Sequence, residues 1–230
     1  MMRESFNREL QRLMDEILEL GSRVEAALAE AVQVLKTQDR EAARALIAQD
    51  RSINKKRYEI EADALTLIAT QQPMARDLRM IAAVLDLASE LERIGDYAKG
   101  IAKVNLMIGE EPLMKPLIDL PLMASKAADM LDEALQAFAR QDAERAREIP
   151  RQDEEVDQLY DQIYRELISL IMVEPRRIEQ ANYLLWAAHN LERAADRVTN
   201  ICERVVFTVT GELTELDAEE GQRVSVDALE

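Results

Sequence analysis

Little in this sequence would let it fold as a sheet or brace itself covalently. It has one cysteine, Cys202, so no disulfide can form within the chain, and a reducing compartment is the expectation. Only 6 glycines and 6 prolines punctuate 230 residues, and aromatic residues make up 4%. Tight turns and strand formers are therefore scarce. No apolar run approaches the ~18 residues of a spanning helix. The first twenty residues, MMRESFNRELQRLMDEILEL, have no apolar signal-peptide core, so a cytoplasmic protein is expected. Positive charge is short as well: 29 Lys and Arg face 45 Asp and Glu, a net charge of −16. That balance excludes a nucleic-acid partner, which needs cations for its phosphates. It suits a surface that meets cations or other proteins. Seven acids against Arg223 alone fall in residues 211–230, which reads as an acidic, disordered tail.

What is abundant is Ala, Leu, Glu and Arg, the composition of long helices. Leu10, Leu13, Ile17, Leu20, Val24, Leu28, Ala31 and Leu35 recur at three- and four-residue steps and define a first helix, with Gly21 inside its stripe. A short turn at Thr37-Gln38-Asp39 gives Asp39 as N-cap of a second helix, which ends at Gln71-Gln72 before Pro73. A third helix runs from about Met74 to about Ile108, where Gly109 stops it. Pro112, Pro116 and Pro121 then mark a linker, EEPLMKPLIDLP. The pattern begins again with a fourth helix carrying Met123, Ala127, Met130, Ala134 and Phe138, and a turn at Arg140-Gln141-Asp142. A fifth helix follows, which Pro150 should kink or split, and a sixth starts after Pro175 and fades near Gly211.

Residues 88–101 and 188–201 match in Ala, Leu, Glu, Arg, Asp and Ile, six of fourteen positions, where chance gives about one. This is an internal duplication of a three-helix unit. The matching Glu-Arg-x-x-Asp goes beyond what two similar amphipathic helices would share.

The pair Glu92 and Asp96 recurs as Glu192 and Asp196, each on one helix face. On the preceding helices, Asp153 and Asp157 match Asp50 and Asn54. At about 100° per residue, all four pairs fall on the shoulder of a buried stripe, roughly 60–140° from its centre. Such a shoulder forms a groove between packed helices, where oxygen ligands can hold a hard or borderline cation. The alternative gives these acids to Arg93, Arg193 or other nearby basic side chains.

The runs LLWAAHNLERAADRVTNICER (184–204) and ASELERIGDYAKGIA (88–102) resemble the two signature segments of the PhoU family of phosphate-specific transport system accessory proteins. The likeness extends to QQPMARDLR (71–79) and to Asp153-x-x-x-Asp157, and covers about residues 4–210. It implies an all-α fold of two tandem repeated three-helix bundles with six long helices. The repeats would be 1–110 and 122–210, with a Pro-rich linker at 111–121 and the tail at 211–230. It also implies a non-enzymatic regulator of phosphate homeostasis. Such a protein couples the cytoplasmic ATPase subunit of a phosphate ABC transporter to a sensor histidine kinase, represses the starvation response and limits uptake. It would reach the membrane only through those partners, and an apolar bundle face would allow a homodimer. The resemblance further implies multinuclear clusters of iron or another transition metal such as zinc. One would use Asp50, Asn54, Glu92 and Asp96, the other Asp153, Asp157, Glu192 and Asp196. Asn54 departs from the acidic pattern and makes the first site the weaker.

A rival reading is a histidine phosphotransfer module using the lone histidine, His189, which points about 160° from the core stripe. A ferritin-like di-iron protein would need a Glu-x-x-His motif, and position 186 is Trp. Arg76, Arg79, Arg176 and Arg177 open the third and sixth helices, where helix dipoles favour anions such as phosphate. Trp186 is expected to pack, Cys202 to be buried, and Met74 and Met172 to be exposed.

Overall fold

The computed structural model describes residues 2–216; the expected tail therefore lies outside the described residues from position 217 onward. The described chain is helical throughout: α1 Met2–Thr37, α2 Arg40–Gln71, α3 Arg76–Ile108, α4 Asp119–Arg140, α5 Ala143–Glu148, α6 Asp153–Val173 and α7 Ile178–Thr210. A 3-10 turn at Ile149–Gln152 joins α5 to α6, so the expected fifth helix is one rod broken at Pro150. Pro has no N–H and its ring crowds the preceding turn, which forces the tighter local winding.

The duplication extends to the turns. Gln38 and Gln141 both take left-handed backbone, with φ 56° and 55°. Each is followed by an aspartate cap. Asp39 Oδ1 accepts from the N–H groups of Glu41 and Ala42 at 3.0 and 2.9 Å, and Asp142 Oδ1 accepts from that of Arg145 at 3.0 Å. Two boundaries differ from expectation. Helix α3 starts at Arg76, because Met74 and Ala75 form the turn whose carbonyls receive the first N–H groups of the helix. Pro121 lies in the first turn of α4 and not in the linker, since the first turn needs no N–H there.

Helices α1, α3, α7 and α4 pack in a ring, with α2 laid against α1 and α3 on one flank, and α5 and α6 against α4 and α7 on the other. One apolar core runs through both halves. Its centre is the seam of α3 and α7, whose pairs run in opposite directions. Arg204 Nε meets Asp86 Oδ2 at 3.1 Å, Asn200 Nδ2 donates to Glu90 Oε2 at 3.2 Å, and the Arg193 guanidinium lies 5.4 Å from the centre of the Tyr97 ring. Positions 90 and 200 face each other, as do 100 and 190, where Gly100 makes room for Asn190. The halves are thus related by a pseudo-twofold axis across this seam. The segment between α3 and α4 is held down by Gln180, which is 2% exposed: its amide donates to the Pro112 carbonyl at 3.0 Å and accepts from the Met114 N–H at 2.6 Å.

Candidate functional site: two acidic seams

The first cluster lies across the α2–α3 seam. Asp50, on α2, is only 5% exposed, so its charge needs a partner. The partner is Lys99 of α3, which the sequence reading did not single out. Its Nζ donates to Asp50 Oδ2 at 2.7 Å and to Asp96 Oδ1 at 3.1 Å, tying one carboxylate from each helix. Asn54 Nδ2 donates to the same Asp50 Oδ2 at 3.2 Å. The hydrogen bond to Asp50 is the main influence that raises the Lys99 pKa. Glu92 completes the group. Burial raises its pKa first, and the charges of Asp96 and Asp50 add to that, while Arg57 and Arg93 oppose it. The structure therefore brings Asp50, Asn54, Glu92 and Asp96 together, and among the nearby basic side chains Lys99 is the one that bridges the two helices, with Arg93 acting only on the Glu92 charge.

The second cluster lies across the α6–α7 seam, which places Asp153 and Asp157 of α6 beside the helix that carries Glu192 and Asp196. Glu192 is half-buried, and its Oε2 is shielded from water with no hydrogen bond of sound geometry. His189 Nδ1 stands 2.9 Å from that oxygen. The Tyr160 ring lies 6.1 Å from the imidazole, and burial, then the Glu192 charge, raises the Tyr160 pKa. His189 is thus exposed, as its angular position predicted, but it belongs to this cluster. A shared face at the three-residue step from His189 to Glu192 was the available signal.

The donor chemistry of the two seams differs. The second offers carboxylate oxygens and an imidazole nitrogen, donor types that suit a transition metal. The first already contains an ammonium group, and its Asn54 donates into it, so it does not present an anionic cage. Among the described residues, no three carboxylate, imidazole or thiolate groups converge as a ready-made metal cage in either seam.

The remaining expectations divide. Cys202 is buried, and Met74 and Met172 are 79% and 80% exposed, as their positions suggested. Trp186 does not pack inside: it is 47% exposed on the outer face of α7. Three of the four helix-opening arginines have partners of their own, while Arg79 Nε is shielded from water without a hydrogen bond. Arg76 hydrogen-bonds Gln141, Arg176 donates to Glu174 at 2.7 Å, and Arg177 meets both Glu174 and the Pro112 carbonyl, at 3.0 and 3.1 Å. No helix among the described residues is long and apolar enough to cross a membrane.

Comparison with known proteins accounts for both halves. The PhoU domain model matches twice, at residues 17–104 and 120–205. A phosphate-specific transport system accessory protein PhoU homolog of Caulobacter vibrioides is 38% identical over 210 residues, 91% of each chain. The crystal structure of the phosphate transport system regulatory protein PhoU from Streptococcus pneumoniae is similar with a TM-score of 0.84 and 35% identity, covering 91% of this chain and 99% of that one. That of PhoU from Pseudomonas aeruginosa gives a TM-score of 0.85 and 33% identity over 90% and 100% of the two chains. With its duplicated three-helix units and full-length relatives above 30% identity, the chain belongs to the PhoU family.

Proposed function

We propose that this protein is a non-enzymatic regulator of phosphate homeostasis. It acts by contact, docking on the cytoplasmic ATPase subunit of a phosphate ABC transporter and on a sensor histidine kinase, and it represses the starvation response and limits uptake while phosphate is plentiful. The observation that carries this reading is the match of both halves to relatives named as phosphate-specific transport system accessory proteins. The acidic seams support it, because each lies between a ring helix and a flanking helix, where a bound cation would tie the two together. In the second seam, Asp153, Asp157, Glu192 and Asp196, with His189 beside them, would hold a transition metal such as iron or zinc. When bound, the metal supplies fixed positive charge that neutralises crowded carboxylates and fastens α6 to α7. The residues themselves place the ligands: His189 Nδ1 stands 2.9 Å from Glu192 Oε2, and the break at Pro150 starts α6 with Asp153 in its first turn.

The test is a clean gene deletion, read with a phosphate-starvation reporter in phosphate-rich medium. Constitutive expression, restored to repression by the full-length gene, is the expected outcome. Normal repression in the deletion strain would count against the reading.

A further inference from the structure

We propose that Lys99 is the resident cation of the first acidic seam, so that this chain takes metal in its second half alone. The statement about the second half rests on the reading of that seam given above; the statement about Lys99 stands without it.

The Lys99 ammonium already does what a bridging metal would do there. It joins Asp50 of α2 to Asp96 of α3 at 2.7 and 3.1 Å. Asp50 is nearly sealed from water, so a divalent cation reaching it must first expel Lys99 and strand an ammonium beside itself. Arg57 adds a second positive charge on the same seam: it acts on Glu92 and pairs with Glu61 at 2.8 Å. Asn54 takes one carboxylate away and turns its amide hydrogens toward Asp50.

The duplication provides an internal control. At an offset of 100 from Lys99 stands Thr199, and at an offset of 103 from Arg57 and Asn54 stand Tyr160 and Asp157. All three differences run one way. The first seam has three carboxylates with two cations built in; at the three matching positions the second has a fourth carboxylate, a hydroxyl and a phenol, with the His189 imidazole against Glu192. Thr199 is fully buried, and its Oγ1 has no hydrogen-bond partner, so it donates to no carboxylate of the second seam. Three coincident substitutions toward positive charge, with the lysine seated between both helices, mark a seam that supplies its own counterion.

The experiment compares metal content and calorimetric binding of Fe(II) and Zn(II) in the full-length protein. The variants are Asp50→Asn/Asp96→Asn, Glu192→Ala/Asp196→Ala and Lys99→Thr, the last alone and with Asp50→Asn. The wild type should keep its metal in Asp50→Asn/Asp96→Asn and lose it in Glu192→Ala/Asp196→Ala. Lys99→Thr should raise metal content about twofold, and added Asp50→Asn should cancel the gain. A fall of half or more in Asp50→Asn/Asp96→Asn would overturn the proposal. So would a folded Lys99→Thr protein, judged by circular dichroism, that takes no extra metal. If Lys99→Thr fails to fold, the Asp50→Asn/Asp96→Asn comparison decides. A wild type without metal beside a Lys99→Thr variant that binds it would sink the metal reading of the second seam and leave the role of Lys99 standing.

Discussion

Glu92 carries its charge at a cost in the folded state, because burial and two neighbouring carboxylates raise its pKa. The sign of the pH effect follows. Below the ordinary carboxyl value of about 4.3, Glu92 is protonated folded and unfolded alike and contributes nothing. As pH rises through the window up to the raised value, the unfolded chain releases its proton first, and stability falls. Above that window the full penalty is present. Glu92→Gln should therefore be more stable than the wild type at pH 7 in urea unfolding, with the gain vanishing below about pH 4. A gain that persisted in acid would point to packing and not to charge. At this scale the acidic positions were legible, because a duplicated Glu-x-x-x-Asp stands out from a chain rich in acids. Lys99 was not. Helical periodicity places a Cβ on a face, but it does not say where a four-carbon stem ends. The readable clue was the mismatch of Lys99 with Thr199 three residues after the shared aspartate of the repeat.

Helix α1 shows the same divide between pattern and packing. Its apolar stripe predicted the helix, and Gly21 looked like a mild weakness in it. The structure gives that glycine a purpose. A Cβ at position 21 would lie 2.2 Å from Leu135 Cδ1 of α4, so the missing side chain lets the two halves approach. Two effects oppose each other in Gly21→Ala. Helix propensity favours alanine by about 1 kcal/mol, and overpacking a close contact costs about 1–3 kcal/mol. Leu135 is 5% exposed and has little room to swing aside, so overpacking should win, with a net loss of about 1 kcal/mol in denaturant midpoint measurements. An alanine variant more stable than the wild type would show that Leu135 yields. Caps and breaks were legible, because Asp39 acts through a short side chain on its own next turn, and Pro150 and Gly211 through their own backbone. The start of α3 was less so, since Pro73 restrains only its near neighbours and Ala75 takes a φ of 49° before the helix begins.

The molecule as a whole is more unified than its repeat suggests. Helices α3 and α7 bury residues on several faces: Ile81, Leu91, Ile101 and Val104 of one, and Leu184, Ala194, Thr199 and Ile201 of the other. Neither half could keep its central helix covered without the other. Thermal unfolding should accordingly give a single transition, with calorimetric and van't Hoff enthalpies that agree. Two resolved transitions would mean that the halves fold separately. The repeat itself was legible in the sequence, but the meeting of its copies was not. Side chains at 90 and 200, or 97 and 193, are more than ninety residues apart, and no local spacing pairs them. The pseudo-twofold seam has one more implication. A lone three-helix unit joined to its twin through the same face would show every amino-acid change twice, once on each side. Fusing the twins into one polypeptide lifts that restriction, so one side can seat an ammonium between its helices while the equivalent place on the other holds a buried hydroxyl.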